Sequence, residues 1–152
     1  MKLRSEQGTA VVEFAVILPF LLVVIFGIVE FGFIFYNKAM LTNASREGAR
    51  RAIVYQVDSD GNRIVPGAEV ENAVTRQLYS DFPTNNELRL VTFGTDALTI
   101  DPDSSDGDIA TTQGAYVTVR VDFDYNFLLI PSFIPGIPGN ITLSGITTMR
   151  AE

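Results

Sequence analysis

The chain has 152 residues, about one domain's worth, yet 47% of them are hydrophobic and only 19% are charged, below the rough quarter that soluble domains carry. It has no Cys, His or Trp, which excludes thiol nucleophiles, His-based triads, disulfides and Cys/His zinc sites. The net charge of −7 argues against a nucleic-acid partner, which needs a basic face.

The charge is not evenly spread. Residues 1–8 sum to +1, residues 9–37 to −2, residues 38–51 to +3, and residues 52–152 to −9. This pattern predicts a short basic leader (1–8), an apolar rod that runs on as an extended helix through a basic collar (9–55), and an acidic head (56–152).

The rod comes first. Phe14 to Val29 is an uncharged run of sixteen residues, and after Glu30 the sequence FGFIFYN stays uncharged to Asn37. Glu13 to Glu30 spans about 25 Å as a helix, a little short of a hydrocarbon core of ~30 Å, whereas Thr9 to Asn37 crosses it comfortably. Both glutamates are placed to reach the interfaces. A secretory signal peptide would have a shorter apolar stretch and a small-residue exit, which is absent before the collar. Pro19 lies inside the rod, where proline removes a hydrogen bond and tends to kink a helix. Gly27 and Gly32 are small-residue notches without G-x-x-x-G spacing.

Past the rod, Ala39–Ala52 reads AMLTNASREGARRA, rich in helix formers. Ala44, Gly48 and Ala52 recur every four residues and line one face with small side chains, so another helix can approach closely. Glu47 precedes Arg51 by four residues, the favourable order for an ion pair on a helix.

In the head, Ala68–Tyr79 places Val70, Val74 and Leu78 four apart, an amphipathic helix introduced by Pro66-Gly67 and ended by Asp81-Phe82-Pro83. Glu87–Phe93 reads as a strand, with Ala97–Ile100 as its short partner. Ala115–Phe127 alternates Val117, Val119, Val121, Phe123, Tyr125 and Phe127 with polar residues, the period of a half-buried antiparallel strand. In Ile141–Arg150 the apolar phase slips from Leu143 to Ile146, which predicts a bulge at Ser144-Gly145. The expected fold is therefore α+β: a long N-terminal transmembrane helix, then a small antiparallel sheet with one additional helix. The segment between the last strands, Leu128–Asn140, either folds back over the core or presents an apolar patch to a partner or a membrane. Asp101–Asp108 fails the spacing of a calcium loop and reads as a solvated acidic loop, and Asp58–Asn62 reads as a turn. The acids cluster in turn-like segments rather than an apolar pocket, which disfavours a membrane-tethered carboxylate hydrolase.

The junction GTAVVEF (Gly8–Phe14), the stretch LPFLLVVIFGIVEFG that follows, ASREGAR at Ala44–Arg50 and TTMRAE at Thr147–Glu152 together resemble a type IV-type prepilin, and more narrowly a TadE-like protein of the tight-adherence pilus system. The resemblance implies a pilin-like fold and a structural role without enzymatic activity, cofactor, metal or small-molecule substrate. It implies cleavage between Gly8 and Thr9 by a prepilin peptidase. It further implies that Glu13, beside Phe14, pairs with the new N-terminal amine of an adjacent subunit and sets the register of a helical bundle. The partners implied are that peptidase, other pilins, assembly-platform proteins and the lipid bilayer. Lys and Arg near the span, counted alone, put the head in the cytoplasm. The resemblance instead implies a single pass through the bacterial inner membrane with a periplasmic or extracellular head. A head of this size fits a minor pilin or pseudopilin, and the alternative is an unprocessed single-pass anchor whose head binds pilus or secretion machinery.

Overall fold

The computed structural model describes residues 3–54, 56–57, 59–61, 63–65, 67–80, 87–88, 99–101, 109–110, 116–129 and 139–150. A 50-residue helix, α1 (Leu3–Ala52), is followed by β1 (Gln56–Val57), β2 (Arg63–Val65), α2 (Gly67–Leu78), β3 (Tyr79–Ser80), β4 (Glu87–Leu88), β5 (Thr99–Asp101), β6 (Ile109–Ala110), β7 (Tyr116–Asn126) and β8 (Asn140–Arg150). The architecture is α+β, as the sequence predicts. Helix α1 passes unbroken through Pro19.

Three antiparallel groups make up the described sheet structure: β1-β2-β6, β3-β4 and β5-β7-β8. The β7–β8 hairpin dominates. Its register runs without interruption from Tyr116 opposite Arg150 to Asn126 opposite Asn140. The bulge expected at Ser144-Gly145 is therefore absent. Gly145 keeps the inward phase and is buried, while Ile146 faces outward and is exposed. The cause is α1. A Cβ on Gly145 would meet the Leu41 carbonyl group well inside contact distance, so helix backbone fills the place a side chain would take. Thr99–Asp101 pairs with Asp122–Arg120 of β7, not with the Glu87 strand as expected.

The core lies between the hairpin, the second half of α1 and α2. Val117, Val119, Val121, Phe123 and Tyr125 of β7 point inward, and Leu41, Ala44, Ala49 and Ala52 of α1 meet them, with Val70, Val74 and Leu78 of α2 closing the cluster. Full burial of each large aliphatic or aromatic side chain contributes about 1.5–3 kcal/mol. The Asp58–Asn62 segment joins β1 to β2, and within it Gly61 has φ +82°, a conformation that glycine adopts without a Cβ penalty. Residues 102–108 of the acidic segment and 130–138 of the apolar segment lie outside the described residues.

Candidate functional site

Helix α1 has two environments along its length. From Gly8 to Val29 it is exposed or nearly so on every side, with Phe20 at 71% and Val23 at 70% relative exposure. From Glu30 onward one face is buried: Glu30, Asn37, Leu41, Ala44, Ser45, Gly48, Ala49 and Ala52. Thr9 to Val29 makes about 30 Å of helix, matching a hydrocarbon core. Its most apolar stretch, of mean hydropathy 2.8, has no buried residue, and none of the described residues covers it, which is the pattern of a helix that faces lipid. The end of this bare segment is therefore Glu30, seven residues before the Asn37 limit suggested by hydropathy.

Glu30 does more than mark that end. It is 1% exposed. The Tyr125 hydroxyl donates to its Oε1 at 2.6 Å, the Leu128 amide donates to Oε1 at 2.9 Å, and the Leu129 amide donates to Oε2 at 2.7 Å. A buried carboxylate is costly unless hydrogen bonds replace its water, and bonds to a charged acceptor each contribute about 1.5–3 kcal/mol. The phenol of Tyr125 is held above its ordinary range, first by burial and then by the hydrogen bond to Glu30 and its charge. Tyr125 also meets Phe127 edge to face, ring centroids 6.0 Å apart. Sequence reading gave Glu30 an interfacial place and missed this clasp. The available signal was a carboxylate flanked on both sides by uncharged apolar sequence, which is usually functional.

Two further polar contacts staple α1 to β8. The Lys38 ammonium donates to the Ser144 carbonyl, and Ser45 Oγ and Thr147 Oγ1 are hydrogen-bonded at 2.8 Å. These contacts order β8 alongside the helix: Asn140 starts at the level of Glu30 and Thr147 reaches the level of Ser45. On the outer face, Arg120 Nε sits 2.8 Å from Asp122 Oδ2, and Thr118 and Thr148 share a hydrogen bond of 2.8 Å. Burial opposes ionisation of Asp122, but the Ser144 hydroxyl and the Arg120 guanidinium outweigh it and hold the carboxyl below its usual range.

The residues singled out from sequence fall into two groups. Gly8, Thr9, Glu13 and Phe14 all lie on the bare first part of α1, exposed, with Phe14 at 60%. Apart from its chain neighbours and the helix's own backbone, no described atom lies within 4 Å of the position a Cβ would take on Gly8. Ala44, Gly48 and Ala52 lie at the other end, all buried. A Cβ on Gly48 would stand 2.7 Å from Val74 Cγ2 of α2 and 3.1 Å from Val119 Cγ1 of β7. The helix that this stripe admits closely is α2 of the same chain. Glu47 binds Arg50 at 3.0 Å and Arg51 at 3.9 Å, so the nearer partner is three residues away rather than four.

A polar groove of about 370 Å³ lies between α1 and α2, lined by Glu47, Arg51, Glu69, Asn72, Arg76 and Gln77 among others. Among the described residues, no group of three His, Cys, Asp or Glu is placed to hold a metal ion. The arrangement as a whole is that of a bare apolar helix whose second half is packed into a head.

Comparison with known proteins adds one finding. Residues 8–50 match the family described as TadE-like protein. The matched segment contains the bare helix, Glu30 and most of the small-residue stripe. No curated protein sequence and no solved structure matches the chain.

Proposed function

We propose that this chain, which is TadE-like over residues 8–50 and anchored by a single membrane pass, serves as a minor pilin or pseudopilin in assembly of the tight-adherence pilus. Proteins of this family are structural components, and the role proposed is structural: the chain inserts, is trimmed, and docks beside other pilus subunits. The observation that carries this reading is the division of α1 at Glu30 into a bare apolar helix and a head scaffold. One continuous rod then transmits the position of the membrane-embedded helix directly to the head.

In this reading a prepilin peptidase cuts between Gly8 and Thr9. Gly8 has open space around it and is a weak helix former, about 1 kcal/mol worse than Ala, so the local turn opens readily for a protease. Glu13 then becomes the fifth residue of the trimmed chain and pairs with the N-terminal amine of a neighbour. Two charges at the edge of a hydrocarbon layer each need the other, and their pairing fixes the axial register between helices. The head stands on the periplasmic or extracellular side of the inner membrane.

The test is the mass of the membrane-extracted protein from cells with and without the peptidase. The expected result is loss of residues 1–8 only where the peptidase is present. An intact Met1 in peptidase-positive cells contradicts processing. One observation favours the second reading, an unprocessed anchor whose head binds pilus or secretion machinery: α1 is already helical across the Gly8–Thr9 bond. Glu13→Ala separates the two. Lost pilus assembly with normal insertion supports the pilin role, and unchanged assembly supports the anchor.

A further inference from the structure

We propose that the hairpin end of the head rests on the lipid surface, with Leu128 and Leu129 as the described side chains that touch it. This rests on reading Thr9–Val29 as the lipid-spanning part of α1, and it holds whichever side of the membrane the head occupies.

Geometry places these residues. The amides of Leu128 and Leu129 are bonded to Glu30 at 2.9 and 2.7 Å, and Glu30 directly follows the last fully bare turn of α1. The other stem of the hairpin returns at the same level, since the Phe127 amide donates to the Gly139 carbonyl. Both ends of the connection are thus fixed where the bare helix stops. Leu128 and Leu129 are only partly buried by the protein.

Charge points to the occupant. Tyr125 to Asn140 contains no charged residue, and neither does Phe31 to Asn37 of α1. The nearest cation along α1, Lys38, is engaged with the Ser144 carbonyl. The arginines on the scaffold half of α1 and on α2, at 46, 50, 51 and 76, lie at the opposite end of the helix scaffold. Among the described residues, the charged group at the end of the head nearest the membrane is Glu30, which is buried. Apolar exposure continues from the span onto α1 at Phe31 and Phe35, 61% and 69% exposed, so the lipid-facing surface passes without a charged break from the helix to this end of the head. A lipid surface covers such an edge at low desolvation cost, because the Glu30 carboxylate is already hydrogen-bonded.

The chain has no tryptophan, so a single introduced one reports alone. Leu129→Trp, and Leu128→Trp as a second variant, are made in the full chain. They are reconstituted in phosphatidylcholine–phosphatidylglycerol vesicles containing lipids brominated on the acyl chains. Phe20→Trp in the span and Tyr116→Trp at the far end of β7 are the references, and thermal unfolding checks that each variant retains its fold. The expected result is blue-shifted emission and quenching by brominated lipid at position 128 or 129, intermediate between strong quenching at Phe20→Trp and none at Tyr116→Trp. Emission at both 128 and 129 that matches Tyr116→Trp, with Phe20→Trp quenched, overturns this inference alone. Absence of quenching at Phe20→Trp overturns the span and this inference together.

Discussion

Tyr125 and Glu30 are 95 residues apart in sequence, yet the phenol hydroxyl lies 2.6 Å from the carboxylate and both side chains are buried. This bond joins the end of the long sheet hairpin to the helix at the level where its bare apolar part ends. Leu128 and Leu129 complete the clasp through their backbone amides.

Removing one donor leaves the carboxylate buried and short of a partner. Tyr125→Phe is expected to cost about 1.5–3 kcal/mol. Glu30→Ala strands a hydroxyl and two amides at once and is expected to cost more, about 3–5 kcal/mol. Chemical unfolding of the detergent-solubilised full chain measures both. An effect below about 0.5 kcal/mol, the range of ordinary surface changes, contradicts the clasp.

The same pair gives a pH dependence with a definite sign. The folded pKa of Tyr125 is raised above its ordinary value of 10.0 by burial, by the bond to Glu30 and by its charge. A raised pKa contributes stability that is fully present below the unfolded value, about pH 10, and is lost as pH rises beyond it. Stability is therefore expected to fall above pH 10 more steeply than in Tyr125→Phe. Absorbance at the tyrosinate band, followed with unfolding, checks this; identical alkaline profiles contradict it.

Two glycines set helix contacts of different rigidity. Gly145→Ala drives a Cβ into the Leu41 backbone, which cannot rotate away, so α1 and β8 must separate; a loss of about 2–3 kcal/mol is expected. Gly48→Ala meets the side chains of Val74 and Val119 and gains about 1 kcal/mol of helix propensity, so its net loss is expected to be the smaller. Thermal unfolding of the two variants orders them. The reverse order contradicts the close approach of β8 to the helix backbone.

The features legible in sequence were those with a local period or an unbroken run. The apolar rod, the four-residue spacing in α2 and the alternation of β7 each announce an element from within. The end of the bare helix did not, because FGFIFYN after Glu30 stays uncharged like the run that precedes it, and only the packing of the head against Glu30, Asn37 and Leu41 ends the bare segment. The clasp on Glu30 was not legible because its donors come from Tyr125, Leu128 and Leu129, far along the chain. The apparent phase slip at Ile146 reflected a glycine pressed on helix backbone, not a bulge. Strands of two or three residues, such as β1, β2 and β6, are too short to show a period at all.

In the proposed reading, α1 divides at Glu30 into a lipid-facing span and a head scaffold. Because the chain has no cysteine, single substitutions to Cys along α1 can be labelled in native membranes with a membrane-impermeant maleimide. Val16→Cys, Phe20→Cys and Val23→Cys are expected to stay unlabelled until detergent is added, whereas Ala39→Cys and Asn43→Cys, exposed positions on the scaffold half, are expected to label once their side of the membrane is accessible. Equal labelling at Phe20→Cys and Asn43→Cys in intact membranes would contradict the account.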